Sequence, residues 1–171
     1  MIFSAILAVS FKLLYVQISR FSLRFLIIFN LLNIFIKIRK ILDKNNLQAI
    51  VIPSMRTPEK TINLANEHFG KENIVIKNVD KKAYLSALSL SKYIVVTCDS
   101  TSMISEAALT GKPIYIAEIP TRKNDYRFKN FRELFSKLNI IKNLDEKLEI
   151  WNYENLDETN RIAKEIKKKI F

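Results

Sequence analysis

Residues 93–118 read YIVVTCDSTSMISEAALTGKPIYIAE, and this stretch decides the fold class. Its first five residues are apolar or β-branched and predict a buried strand, Tyr93–Thr97. A small polar loop follows and leads into a helix over 102–110, with Gly111 where a left-handed helix C-cap is expected. Pro113–Ala117 predicts the next strand. Strand, helix and strand in this order indicate a βαβ unit with parallel strands.

The alternation of short apolar runs and helical patterns continues on both sides of this unit. Apolar runs without polar alternation are typical of strands that are covered on both faces of a sheet. The sequence therefore predicts an α/β fold, a doubly wound and mostly parallel Rossmann-like sheet with right-handed crossovers. The other predicted elements are strands over 48–52 and 73–76, and helices over 58–69, 81–90, 126–138 and 156–170.

The composition excludes several kinds of site. The chain of 171 residues contains one histidine, His68, and one cysteine, Cys98, too few for a disulfide framework or a Cys-rich or His-pair metal site. The only two glycines, Gly70 and Gly111, are too few for the G-x-G-x-x-G loop of Rossmann dinucleotide sites and too far apart for a P-loop. We expect no cofactor and no metal. Cys98 follows the strongest strand and is expected to be a small buried thiol rather than a nucleophile.

The net charge of +11 is concentrated at the two ends of the chain. Residues 46–120 carry eight basic and seven acidic residues and are nearly neutral. Surfaces that bind nucleic acid cluster Lys and Arg on one face, so a nucleic-acid partner is not expected here. The basic ends instead suit an anionic surface or a ligand phosphate.

Residues 1–44 are predicted to form an apolar, basic and helical leader in front of a domain over 45–171. The uncharged runs within it, 1–11 and 25–36, are shorter than the ~18–20 residues of a membrane-spanning helix. Three interpretations stay open: a helix packed on a partner or missing domain, a membrane-surface segment with snorkelling Lys and Arg, and a true anchor. We expect a cytoplasmic protein, with any membrane association made through residues 1–40.

A candidate ligand site lies after the strand Tyr93–Thr97. The loop that follows it and the helix start belong to the carboxyl edge of the sheet, where doubly wound folds bind ligands. Free N–H groups and the helix dipole favour an anion such as a diphosphate there. Ser100, Thr101 and Ser102 add hydroxyl donors, and Glu106, one turn beyond Ser102, can accept hydrogen bonds from two vicinal sugar hydroxyls. A well-capped βαβ unit without a ligand explains the same residues, and the sequence leaves both interpretations open.

Four segments carry a family resemblance. The string S-x-S-M-x-S-E-A-x-x-T-G-K-P-x-Y over Ser100–Tyr115 resembles the mitochondrial-fission ELM-type family of bacteria and plants, whose pattern is related to GT-B-fold glycosyltransferases. Ile52–Pro58 is similar to the family's Ser-Arg-Arg-Thr-Pro element, with Met55 in place of the first Arg. Further matches are the basic-aromatic stretch Tyr126–Arg132 and the end, Trp151–Thr159, where Trp151 and Tyr153 are expected to fasten the last helix to the core.

The resemblance implies that this chain is the second half of a GT-B-like fold, over roughly residues 47–165. Family members are normally about twice as long, with a preceding Rossmann-like domain, so the resemblance implies a truncated protein that lacks its first half. In GT-B enzymes the second half grips the nucleotide-sugar donor, whereas the first half usually supplies the acceptor site and the general base. The resemblance therefore implies glycosyltransferase-like activity only with a partner chain, and it leaves the catalytic residues unknown.

The resemblance also implies a set of donor contacts. Ser100, Thr101 and Ser102 would hold the diphosphate, Glu106 would bind the ribose, and Arg56 would be a phosphate partner if its loop faces the same crevice. The expected ligand is a nucleotide-diphosphate sugar, and the expected protein partner is the missing half or another chain. The alternative is a non-catalytic module that associates with an anionic membrane surface or with proteins and binds no nucleotide.

Overall fold

The computed structural model describes residues 13–18, 25–55, 57–119, 125–154, 156 and 158–170. Strands and helices alternate along most of this part of the chain. The strands are β1 (Leu13–Ile18), β2 (Gln48–Pro53), β3 (Ile74–Val75), β4 (Tyr93–Thr97), β5 (Ile114–Ala117) and β6 (Ile141–Asn143). The helices are α1 (Phe25–Asn45), α2 (Glu59–Phe69), α3 (Lys81–Leu90), α4 (Thr101–Ala108), α5 (Tyr126–Lys137) and α6 (Glu158–Ile170).

The described strands form one parallel sheet with the order β3-β2-β1-β4-β5-β6. This is the strand order of a doubly wound Rossmann fold, in which the chain first builds outward on one side of β1 and then on the other. The predicted fold class, a doubly wound parallel sheet of the Rossmann type, is confirmed.

Two hydrophobic cores cover the two faces of the sheet. On one face, α1 and α2 pack against every second strand residue, with Phe35 and Phe69 in edge contact at a centroid distance of 5.1 Å. On the other face, α3, α4 and α5 pack against the alternate residues. Within β4, Val95 belongs to the first core, whereas Ile94 and Val96 belong to the second. Strands that are buried on both faces in this way require the uninterrupted apolar runs seen in the sequence.

The structure corrects the expectation of a helical leader over 1–44 in front of a domain over 45–171. Leu13–Ile18 form β1, which lies in the middle of the sheet and pairs with β2 and β4. These residues therefore belong to the same sheet as the strands within 48–143. Leu14 and Val16 are buried in the same hydrophobic core as α1. The helical part of the expected leader is α1, which buries Leu31, Phe35 and Ile38 among other residues. Residues 1–12 and 19–24 lie outside the described residues.

Within the described ranges, no helix is both long enough and apolar enough to cross a lipid bilayer.

Truncating a buried side chain of α1 tests whether this helix is part of the core. Phe35→Ala removes a fully buried ring between α1 and α2, and we expect it to lower the free energy of unfolding by about 3–5 kcal/mol. Ile36→Ala, on the solvent side of the same helix, is the control and should cost less than about 1 kcal/mol. Urea denaturation followed by circular dichroism measures both. Similar small losses for the two variants would contradict the placement of α1 in the core.

Candidate functional site

The candidate site lies at the carboxyl edge of the sheet. The chain reverses its direction of winding between β1 and β4, and doubly wound folds bind ligands in the crevice outside the strand ends at that point. Cys98–Ser100 connect β4 to α4 at this edge, and Ser54 follows β2 there. Side chains on these connections and on the adjoining helix starts can therefore face one ligand.

The two helices that begin at this edge differ in whether the N-cap side chain accepts hydrogen bonds from the first backbone amides. At α3, Asp80 caps the helix, because its carboxylate accepts hydrogen bonds from the amides of Lys82 and Ala83 at 2.8 and 3.1 Å. At α4, Ser100 occupies the N-cap position but makes no side-chain hydrogen bond to the helix amides. Its hydroxyl lies 3.4 Å from that of Ser102 instead. The N-cap side chain of α4 therefore does not occupy the first amides of the helix, unlike Asp80 at α3. Amides at a helix start can bind an anion.

A cavity of about 870 Å³ lies between α3 and α4 and extends to the end of β2. Its wall is mostly apolar and carries a few polar groups, which is typical of sites for small organic ligands. The described residues that line it are Ile52, Pro53, Ser54, Met55, Val79, Asp80, Lys81, Tyr84, Leu85, Leu88, Ser89, Ser102, Met103, Glu106, Leu109, Thr110 and Lys112.

The cavity contains two of the five residues named as donor contacts. Ser102 and Glu106 line it, one helical turn apart on α4. Ser100 is 2% exposed, and neither Ser100 nor Thr101 is among the described lining residues. Arg56 lies outside the described residues. A nucleotide-binding role for these five side chains stays a prediction.

A pair of polar side chains bridges the two helices that flank the cavity. The Tyr84 hydroxyl on α3 donates a hydrogen bond to a carboxylate oxygen of Glu106 on α4, at 2.5 Å. Burial raises the pKa of the Tyr84 phenol, and the hydrogen bond to Glu106 raises it further. The phenol is therefore a neutral donor at physiological pH, and it orients the Glu106 carboxylate on the cavity wall. The sequence alone does not reveal this pair, because nothing local shows that α3 and α4 are neighbours.

The turn after β2 forms part of the cavity rim. The Ser54 amide donates to the Thr57 hydroxyl at 2.9 Å, and the Thr57 amide donates to the Ser54 carbonyl at 3.0 Å. These two bonds close a tight turn before α2. Met55, at the tip, is 87% exposed and faces the cavity. The Ser and Thr of the Ser-Met-Arg-Thr-Pro element thus shape the rim.

Lys112, in the Gly-Lys-Pro segment, performs a structural role at the far end of the cavity. Its ammonium group donates to the Leu88 carbonyl at 2.7 Å and to the Ser89 carbonyl, both in the last turn of α3. Burial lowers the pKa of this amine. Gly111 has φ 69°, a left-handed conformation that glycine adopts without strain, and it allows the chain to turn into β5. Lys112 therefore satisfies helix carbonyls and complements the negative end of the α3 dipole.

Replacing Lys112 tests this role. Lys112→Met keeps the aliphatic stem but leaves two carbonyls without their charged donor, so we expect a loss of about 1–3 kcal/mol in the free energy of unfolding. Lys60→Met, on the exposed face of α2, removes the same charge and should change stability by less than about 0.5 kcal/mol. Equal urea midpoints for the two variants would show that Lys112 does not fasten α3.

Cys98 is fully buried at the end of β4, as expected from the sequence. Burial raises the pKa of its thiol to about 12, and its sulfur lies 3.6 Å from the Ile119 carbonyl, to which it donates. The carbonyl of Cys98 accepts a hydrogen bond from Arg132 at 2.8 Å, and Arg132 also pairs with Asp125 at 3.2 Å. The last Arg of the basic-aromatic stretch thus holds the β4–α4 loop in place.

The buried thiol makes a direct reactivity test possible. At about pH 8 we expect no reaction of Cys98 with Ellman's reagent in the folded protein, because the thiolate is the reactive form and the sulfur is inaccessible. The unfolded chain in guanidinium should react fully under the same conditions. Rapid labelling of the folded protein would mean that the β4–α4 loop opens readily.

The sequence matches the family described as Mitochondrial fission ELM1 over residues 30–170. It is 31% identical to Uncharacterized protein RP120 of Rickettsia prowazekii over 137 residues, which are 76% of this chain and 38% of that protein. It is 27% identical to Mitochondrial fission protein ELM1 of Arabidopsis thaliana over 122 residues, which are 68% of this chain and 28% of that protein. The matched segments thus cover well under half of each of these relatives.

Solved structures with the same fold include UDP-GlcNAc 2-epimerases. A Staphylococcus aureus MnaA structure with UDP superposes with a TM-score of 0.59 at 17% identity, covering 94% of this chain and 39% of that one. The Methanocaldococcus jannaschii UDP-GlcNAc 2-epimerase, in complex with UDP-GlcNAc and UDP, superposes with a TM-score of 0.50 at 17% identity. The match covers 98% of this chain and 48% of that one. At such identity the likeness shows the fold, that of one GT-B half-domain.

Proposed function

Since this chain belongs to the mitochondrial fission ELM1 family, we propose that it is a nucleotide-sugar-binding half of a GT-B-like, glycosyltransferase-related protein. The ligand is a nucleoside diphosphate sugar, and its place is the cavity between α3 and α4. One observation carries the proposal: Glu106 and Ser102 lie on the wall of this cavity, near the N-terminal end of α4.

The start of α4 suits the diphosphate. The N-cap Ser100 side chain accepts no hydrogen bond from its first amides, and the helix dipole places partial positive charge at the same point. The Ser102 hydroxyl lies on the adjoining cavity wall and can donate to a phosphate oxygen. Lys81, at the start of α3, lines the same cavity and adds a positive charge. We also propose Arg56 as a phosphate partner.

Glu106 and the apolar wall suit the nucleoside. One carboxylate oxygen of Glu106 accepts from Tyr84, and within the described residues the other has no hydrogen-bond partner, so it can accept from ribose hydroxyls. Apolar side chains such as Leu85, Leu88 and Met103 provide a surface for a flat base. A mostly apolar pocket with a few fixed polar groups is the usual form of a cofactor or nucleotide site.

The known structures support the choice of UDP as a probe. The S. aureus and M. jannaschii proteins that share the fold were crystallised with UDP or UDP-GlcNAc. In a GT-B arrangement the second half grips the donor, whereas the acceptor site and general base usually come from the first half. We therefore propose donor binding for this chain and assign no catalytic residue to it.

Isothermal titration with UDP and UDP-GlcNAc tests the proposal. We expect the intact chain to bind at least one of them, and Glu106→Gln to weaken binding by about tenfold or more, because a charge-assisted hydrogen bond to the ribose is lost. Glu106 is exposed on the cavity wall, so the melting temperature should change little. Glu67→Gln, an exposed glutamate on α2 outside the cavity, is the matched control and should bind like the parent chain.

Two results would contradict the proposal. The first is the absence of binding to either nucleotide by the folded parent chain. The second is equal affinity of the Glu106→Gln and Glu67→Gln variants. Either result would favour the alternative, an interaction module that binds no nucleotide.

A further inference from the structure

Helix α6 (Glu158–Ile170) contributes nothing to either hydrophobic core. None of its residues is buried. Three isoleucines on it are exposed by 49, 51 and 67%: Ile162, Ile166 and Ile170. A spacing of four residues places them in one stripe along the helix. The helix therefore carries an apolar face that the described part of the chain does not cover.

The rest of α6 is strongly basic. It contains five Lys and Arg residues against two glutamates. Both glutamates are already paired within the helix, Glu158 with Arg161 and Glu165 with Lys168. The other basic residues, for which the described residues supply no acidic partner, are Lys164, Lys167 and Lys169.

Lysines lie on both sides of the isoleucine stripe. At 100° per residue, Lys169 lies directly beside the isoleucine stripe on one side, followed by the paired glutamates, and Lys167 lies on the other side beyond Ala163. An ammonium group on each border of an apolar stripe is the arrangement of helices that lie in a bilayer interface, with the apolar face among the acyl chains and the lysines reaching the phosphates.

We propose that α6 binds the surface of an anionic lipid bilayer, with Ile162, Ile166 and Ile170 inserted at the headgroup boundary. The excess positive charge is complementary to anionic headgroups, and charge and apolar contact together provide the two contributions that stable surface binding needs. This surface is separate from the cavity between α3 and α4, so the proposal is independent of nucleotide binding.

A second copy of the chain fits α6 less well than lipid does. Side-by-side pairing of two such helices would bring two faces with excess positive charge together. The stripe also repeats every four residues, whereas a coiled-coil seam alternates steps of three and four.

The segment before α6 is firmly attached to the body of the domain. The Trp151 indole donates to the Asn139 carbonyl at 2.8 Å, and the Tyr153 hydroxyl donates to the Lys112 carbonyl at 3.0 Å. The structure thus corrects the expectation that these two residues fasten the last helix: they fasten the chain before it. Helix α6 follows from this fixed segment with its stripe available to a surface.

Vesicle flotation of the full chain tests the proposal. We expect flotation with phosphatidylcholine vesicles that contain about 30% phosphatidylserine, none with pure phosphatidylcholine, and loss of binding when salt is raised to about 0.5 M. Ile166→Glu should reduce the floated fraction by about tenfold or more, since it places a charge in the apolar stripe. Ile150→Glu makes the same change at an exposed isoleucine outside α6 and should float like the parent chain.

A double substitution of lysines on α6 completes the test. Lys167→Gln with Lys169→Gln should weaken flotation several-fold, whereas Lys60→Gln with Lys71→Gln, at exposed positions elsewhere, should not. Circular dichroism confirms that each variant is folded. The proposal is overturned by absence of flotation, by equal flotation of Ile166→Glu and Ile150→Glu, or by a doubling of mass in solution that Ile166→Glu abolishes.

Discussion

The parallel pairing of β1 with β2 on one side and with β4 on the other is the constraint on which the rest of the structure depends. Because β2 and β4 flank the same strand, the chain must cross from the edge strand β3 back over the sheet to begin β4. Helix α3 makes this crossover and α4 leaves β4 beside it, and the cavity lies in the gap between them. The candidate site is therefore a direct consequence of the strand order.

Several polar residues in the family-like segments hold the elements around this gap in place. Lys112 holds the last turn of α3, Arg132 holds the loop that enters α4, and the Ser54–Thr57 bonds close the turn at the rim. Glu106 does project onto the cavity wall, where Tyr84 orients it. The family-like segments thus supply residues that hold the surrounding elements and a carboxylate that lines the cavity.

The sequence predicted the elements with strong local signals. The bounds of α3 and β4 were predicted correctly, and β4 is an unbroken apolar run, Tyr93–Thr97. It missed β1, which lies in a long apolar stretch without Gly or Pro and pairs only with distant residues. It also missed β6, which has three residues.

The site residues, too, were predicted where the signal is local and missed where it depends on contacts between distant residues. Ser102 and Glu106 were expected at the carboxyl edge because they follow a strand and start a helix, and both line the cavity. Ser100 was expected beside them, but it is buried as the N-cap. Tyr84 could not be found from sequence, because its contact with Glu106 spans 22 residues and depends on the adjacency of α3 and α4.

Amide chemical shifts test directly whether the cavity between α3 and α4 receives a nucleoside diphosphate. The chain, at 20.0 kDa, is small enough for ¹H–¹⁵N correlation spectra during a UDP titration. We expect saturable shifts concentrated at residues 99–106 and 80–85, with the largest at the first amides of α4. Saturable shifts that leave both segments unchanged, or no shifts at all, would contradict it.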